Sequence, residues 1–132
     1  MPDRARLFLL LCGVAFALIG LNTFLNPLGA MAPVGLNINT VSALNELRAT
    51  YGGMQVGIGL LLLSGFHVPA LTRPALLAQL LIVGGLALGR VVSITIDGMP
   101  DTFVQGLLVL ESIVAVLSLL FFLRQSPLKE FA

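Results

Sequence analysis

A chain of 132 residues, 58% hydrophobic and only 10% charged, has one domain's length but not a soluble domain's balance, which is about 45–50% apolar and about 25% charged. So few charges cannot cover so much apolar surface in water, and a net charge of +1 with scattered basic residues excludes a phosphate-tracking nucleic-acid surface. One cysteine and one histidine would leave any metal to the few carboxylates, so no metal site and no cofactor are expected.

The elements read as four apolar spans, each near the roughly 20 residues that cross a bilayer. The first covers 7–24, after Arg4 and Arg6 and before Asn26-Pro27. Ala30-Met31-Ala32 has the form of a signal-peptidase site, but Asn22 to Ala32 is too long an interval and three more apolar segments follow. The segment is therefore read as a retained helix. Gly13, Ala17 and Gly20 give it a small-residue stripe for close packing, and Cys12 is a small apolar residue within it. Residues 26–46 form a polar outer loop with apolar anchors at Met31, Val34, Leu36 and Ile38. Asn39 or Thr40 is placed to cap a helix running into the second span. Two dispositions of this loop stay open, as a lid over the bundle mouth or as a strip on the membrane surface.

The second span, 47–66, carries Arg48, Tyr51 and Gln55 at spacings that put them on one helical face. Thr50, Gly53, Gly57 and Ser64 form a small stripe largely opposite, and His67 falls at the solvated end. The third span, 75–96, follows Pro69 and Pro74, which are read as stops between helices. Gln79, Arg90, Ser93 and Asp97 share one of its faces, with Gly85 and Gly89 available for packing and Gln79 for interhelical hydrogen bonding. The fourth span, 103–123, follows Pro100 and carries Glu111 about eight residues in. No segment shows strand alternation, so the fold class is all-α, a polytopic four-helix membrane bundle in one domain.

Basic residues set the direction. Arg4 and Arg6, then Arg73, then Arg124 and Lys129 fall on one side of an even number of crossings, whereas the loops 26–46 and 97–102 hold no Lys or Arg. Both termini are thus expected to be cytoplasmic. The rise of 1.5 Å per residue then puts Arg90 roughly 10 Å and Glu111 roughly 12 Å below the outer ends of adjacent antiparallel spans. A charge at bilayer depth costs about 2.5–3.5 kcal/mol on insertion scales, so an Arg90–Glu111 ion pair is predicted. Tyr51 and Gln55 reach a similar depth, with Glu46, Arg48, Ser93 and Asp97 nearer the surface. These eight residues are the candidate binding cluster, in a cavity open outward and closed below. No catalytic residue is assigned.

The run Asn45-Glu46-Leu47-Arg48-Ala49-Thr50-Tyr51-Gly52-Gly53 with Gly57 and Gly59, the segment Gly89-Arg90-Val91-Val92-Ser93 with Asp97-Gly98 and Pro100, the Gly20-Leu21 to Pro27 stretch and Glu111 resemble the small bacterial membrane proteins grouped as domain of unknown function 4345, reminiscent of the DoxX-like type. The resemblance covers nearly the whole chain. It implies a multi-pass protein of the bacterial inner membrane whose characteristic polar positions are Glu46, Arg48, Tyr51, Arg90, Asp97 and Glu111. The residues themselves point to a binding or accessory role, with Arg48 and Arg90 meeting a small anionic or amphipathic ligand, a lipid or a membrane partner. Three alternatives stay open: a redox-accessory or enzyme subunit of DoxX-like type, a proton or solute carrier using Glu111 and Asp97, and a structural protein without ligand. The reading leans away from an enzyme. The bilayer is the one certain surrounding, and a homo-oligomer stays open because small-residue stripes allow one.

Overall fold

A computed structural model describes residues 3–125. The first helix, α1 (Arg4–Leu25), starts where the Asp3 carboxylate accepts the Arg6 backbone N–H at 2.9 Å, an N-cap. Asn26 leaves helical geometry and its side chain accepts from the Gly29 N–H at 3.1 Å, starting the short α2 (Pro27–Met31). Pro27 suits that first position, since its missing N–H would have no helical acceptor. One 3-10 turn over Ala32–Val34 follows, stopped by Gly35 at φ +71. The Thr40 hydroxyl then accepts from Ala43 N–H at 3.1 Å and opens α3 (Val41–Leu47). The chain continues without a break through a wide π-type turn, Arg48–Gly53, into α4 (Met54–His67). A single bend at Val68 precedes α5 (Pro69–Asp97), and α6 (Thr102–Arg124) completes the bundle, capped by Asp101.

Four of these rods are long and apolar enough to cross a membrane: Arg4–Leu25, Val41–His67, Pro69–Asp97 and Thr102–Arg124. Among the described residues there is no strand. The second and third rods exceed the spans expected from hydropathy. Thr40 starts the second earlier than 47, and Pro74 does not stop the third but lies inside it. Pro74 sits in the second turn of α5, where its missing N–H leaves only the carbonyl of Ala70, near the helix start, without its helical donor. The Thr72 hydroxyl donates to the Gly65 carbonyl at 2.9 Å and ties this turn to α4.

Packing runs in sequence: α1 on α4, α4 on α5, α5 on α6. In lipid such contacts are held by close van der Waals fit rather than by escape from water, so glycine decides them. A Cβ at Gly20 would stand 2.8 Å from the Gly52 carbonyl oxygen, and one at Gly59 would stand 2.8 Å from that of Gly13. The α1 stripe of Gly13, Ala17 and Gly20 thus does pack as read from sequence. Its counterpart is Gly52 and Gly59, not the expected Gly53 and Gly57. Gly57, Gly85 and Gly89 have no neighbour within 4 Å of a built Cβ.

The core lies at the end that carries the termini. Leu9, Leu62, Leu76, Ala5 and Ala75 are its buried centre, with Phe8, Phe16, Phe121 and Phe122 around them. At that end Arg6 Nε donates to the Phe66 carbonyl at 2.7 Å, and Gln125 Nε2 donates to Asp3 at 3.0 Å. Buried positions on α5 run from Thr72 to Val83 and then cease, and on α6 only Ser118 is buried. α5 and α6 are therefore clamped at the termini end and open toward the loop end, where Gly20, Thr23, Leu47 and Gly52 keep α1 packed on the second rod. The 3-10 turn Ala32–Val34 reaches across that open end to α6, and Met31 beside it is buried.

Candidate functional site

Arg90 on α5 and Glu111 on α6 meet in a two-pronged contact. Arg90 Nε donates to Glu111 Oε2 at 2.7 Å and Nη2 to Oε1 at 2.8 Å. Charge-assisted pairs of this fork geometry are the strongest and most directional kind. The pair forms because α5 runs toward the loop end and α6 away from it, so residues at matching distances from the Gly98–Asp101 link face each other. Glu111 fixes the plane of the guanidinium but occupies only its Nε edge. The Nη1 group and the outer hydrogen of Nη2 are left over, and the side chain is 26% exposed. A guanidinium only donates, so this free edge wants an oxygen.

That edge lies on a cleft of about 390 Å³, within the roughly 300–1,000 Å³ of small-molecule sites. Gly85, Gly89 and Ser93, four residues apart along one line of α5, form its floor with Leu86 beside them. Tyr51 forms one wall, Pro100 and Val104 another. The link bearing Pro100 is held by Gln105, whose side-chain amide donates to the Pro100 carbonyl at 2.8 Å. Polar groups gather at the end near Arg90, from Tyr51 and Ser93. The floor toward Gly85 and Leu86 is apolar.

The wide turn places Tyr51. In Arg48–Gly53 the Met54 N–H reaches back to the Ala49 carbonyl, five residues earlier. Such π-type turns are rare and frequent at functional sites. Leu47 and Gly52 both face inward and are buried, although an ordinary helix at about 100° per residue would set them about 140° apart. The same widening breaks the expected common face of Arg48, Tyr51 and Gln55. Arg48 Nε turns to the last carbonyls of α1, donating to Phe24 O at 3.2 Å. Gln55 packs toward α1, its Cβ 3.0 Å from where a Gly20 Cβ would stand, and its buried Oε1 has no hydrogen-bond partner among the described residues. Tyr51 alone of the three lines the cleft.

The remaining candidates divide in the same way. Ser93 lies in the cleft and its hydroxyl donates to Asp97 at 3.0 Å. Asp97 is exposed at the rim, held by Ser93 rather than by an arginine. Glu46 is exposed and accepts from the Thr50 hydroxyl at 2.7 Å. The cluster thus brings Tyr51, Arg90, Ser93 and Glu111 together and leaves Glu46, Arg48 and Gln55 facing elsewhere. Sequence reasoning missed the glycines. Gly85 and Gly89 were assigned to helix packing, yet nothing in the bundle packs on them. Their signal was their place on the line of Ser93. Gln79, expected to join helices by hydrogen bonding, is fully buried with neither amide atom partnered among the described residues. Among those residues no group of three or more His, Cys, Asp or Glu could hold a metal ion.

Neither the curated proteins nor the solved structures contain a match to this chain. A family model described as "Domain of unknown function (DUF4345)" matches residues 4–122. It spans all four long helices and both members of the Arg90–Glu111 pair, and the chain belongs to that family.

Proposed function

We propose that the protein is a multi-pass binding or accessory protein of the bacterial inner membrane, holding a small amphipathic molecule in a cleft that opens on the outer side. The observation that carries this is the Arg90 guanidinium, held in place by Glu111 with donors to spare and lining a cleft that takes in polar Tyr51 and Ser93 and apolar Leu86. An oxygen-bearing head would accept from Arg90 and Tyr51 while the apolar part lies on Leu86 and the glycines. Orientation with both termini in the cytoplasm is supported by Arg4, Arg6, Arg73 and Arg124 falling at the clamped end. A continuous pathway for a solute gains no support, because Leu9, Leu62 and Leu76 close that end. The alternative of a pair that only sets helix register rests on a specific observation too, the good geometry of the Arg90–Glu111 contact itself.

Native mass spectrometry of the purified wild type beside Arg90→Gln separates these readings. The binding reading expects one defined molecule to leave the wild type as a mass adduct and to be absent from the variant. The same bulk lipid on both proteins would leave the pair as a register device.

A further inference from the structure

We propose that the occupant of the cleft is a single-chain lipid that enters sideways from the bilayer, with its chain lying over Gly85 and Gly89 and its oxygen-bearing head at Arg90. This rests on the binding reading above and narrows it.

Three observations converge. First, Gly85, Gly89 and Ser93 are exposed along one line of a helix that is long and apolar enough to span the membrane, so the floor faces the surrounding chains and not only the mouth. Glycine in a helix interior is unfavourable, and here no packing explains it, since a Cβ at either position meets nothing. Gly57 and Gly106 are open in the same way, but only Gly85 and Gly89 line a cleft that ends on a cation. Second, the loop end is rich in acid. Glu46, Asp97 and Asp101 stand there against Arg48 alone, and Arg90 is already matched by Glu111. A small dissolved anion approaching from water would meet net negative charge, whereas a lipid sliding in along α5 would reach Arg90 from below. Third, a cleft of about 390 Å³ lies at the small end of ligand sites, room for one chain rather than two. A second copy of the protein is the rival occupant, because exposed small residues four apart also suit helix pairing. A two-fold contact on this face would bring Arg90 toward Arg90, and the two like charges would repel.

The test is photolabelling of the full chain in phosphatidylcholine nanodiscs with palmitic acid carrying a diazirine about five carbons from its carboxyl, a reach that matches the rise from Arg90 to Gly85, followed by peptide mapping. Labelling is expected on α5 around Gly85 and Gly89, and excess palmitate is expected to suppress it. The double variant Gly85→Leu/Gly89→Leu should lose labelling at least tenfold with no fall in thermal midpoint and no change in gel-filtration profile, since both sites have room. Butyrate separates this inference from the reading beneath it. If butyrate competes as well as palmitate and the leucine variant still binds it, the head site stands and the chain trough falls. If neither acid competes and labelling spreads evenly over the lipid-facing surface, both fall. If Gly89→Cys instead gives disulfide-linked dimers in the nanodisc and no palmitate labelling, the face belongs to a second copy and the lipid assignment is overturned.

Discussion

Arg90 and Glu111 are each other's main compensation. Removing one leaves the other with its hydrogen-bonding capacity unspent in a poorly hydrated place, and hydrogen bonds to charged groups are worth roughly 1.5–3 kcal/mol. Arg90→Ala and Glu111→Ala are each expected to destabilise by about that amount. The double variant should cost less than their sum, and reversible unfolding in mixed detergent micelles gives the coupling directly. Strict additivity would show that the fork contributes nothing to stability. This pair was legible in the sequence because helix rise is uniform: counting inward from a shared link fixes the height of both residues. Tyr51 and Gln55 were not legible in the same way. Their spacing reads as one face only if every turn is α-helical, and the extra residue in Arg48–Gly53 turns Gln55 to α1 and Tyr51 to the cleft. Nothing in the composition of that run announces the wider turn.

At the scale of the helix the glycines fall into two kinds that the sequence alone does not separate. Gly59 is a contact, with the Gly13 carbonyl oxygen 2.8 Å from any Cβ it might carry. Gly57 is open. Gly59→Ala forces α1 and α4 apart and is expected to cost about 1–3 kcal/mol, the usual penalty of overpacking. Gly57→Ala meets no neighbour and should stabilise by up to about 1 kcal/mol through helix propensity. Thermal midpoints of the two variants, measured side by side, should move in opposite directions. A loss at Gly57 as well would mean that α4 also packs through that stripe. Small-xxx-small patterns were visible on three spans, but pattern does not say which line meets a neighbour. That is decided by how α1 and α5 lean on α4, a property of the whole bundle. Pro74 teaches the same lesson: proline marks a helix boundary from sequence, yet near a helix start its cost is small enough for packing to override.

For the whole molecule, the number of spans and their order came readily from hydropathy, since lipid demands long apolar helices. What joins the chain's two ends did not. Asp3 accepts from the Arg6 backbone N–H and from Gln125, so the first turn of α1 is tied to the end of α6. These hydrogen bonds, the Arg6 N–H foremost, hold the Asp3 carboxyl below its ordinary value of 3.8. A carboxylate whose folded pKa is depressed adds stability above the unfolded value and loses it as pH falls through the folded one. The thermal midpoint of the wild type should therefore drop further between pH 5 and about pH 3 than that of Asp3→Asn, which keeps the cap but not the charge. Equal drops would show that the end-to-end tie carries no proton linkage.

The clamp of Leu9, Leu62 and Leu76 beside the termini makes the α5–α6 pair a lever with its fulcrum there. The far arms of α5 and α6 meet few buried neighbours, whereas Gly20, Thr23, Leu47 and Gly52 hold α1 to the second rod at the same end. A thinner or more curved bilayer is then expected to change the width between Tyr51, held on the α1 side, and Gly89, while leaving the fulcrum undisturbed.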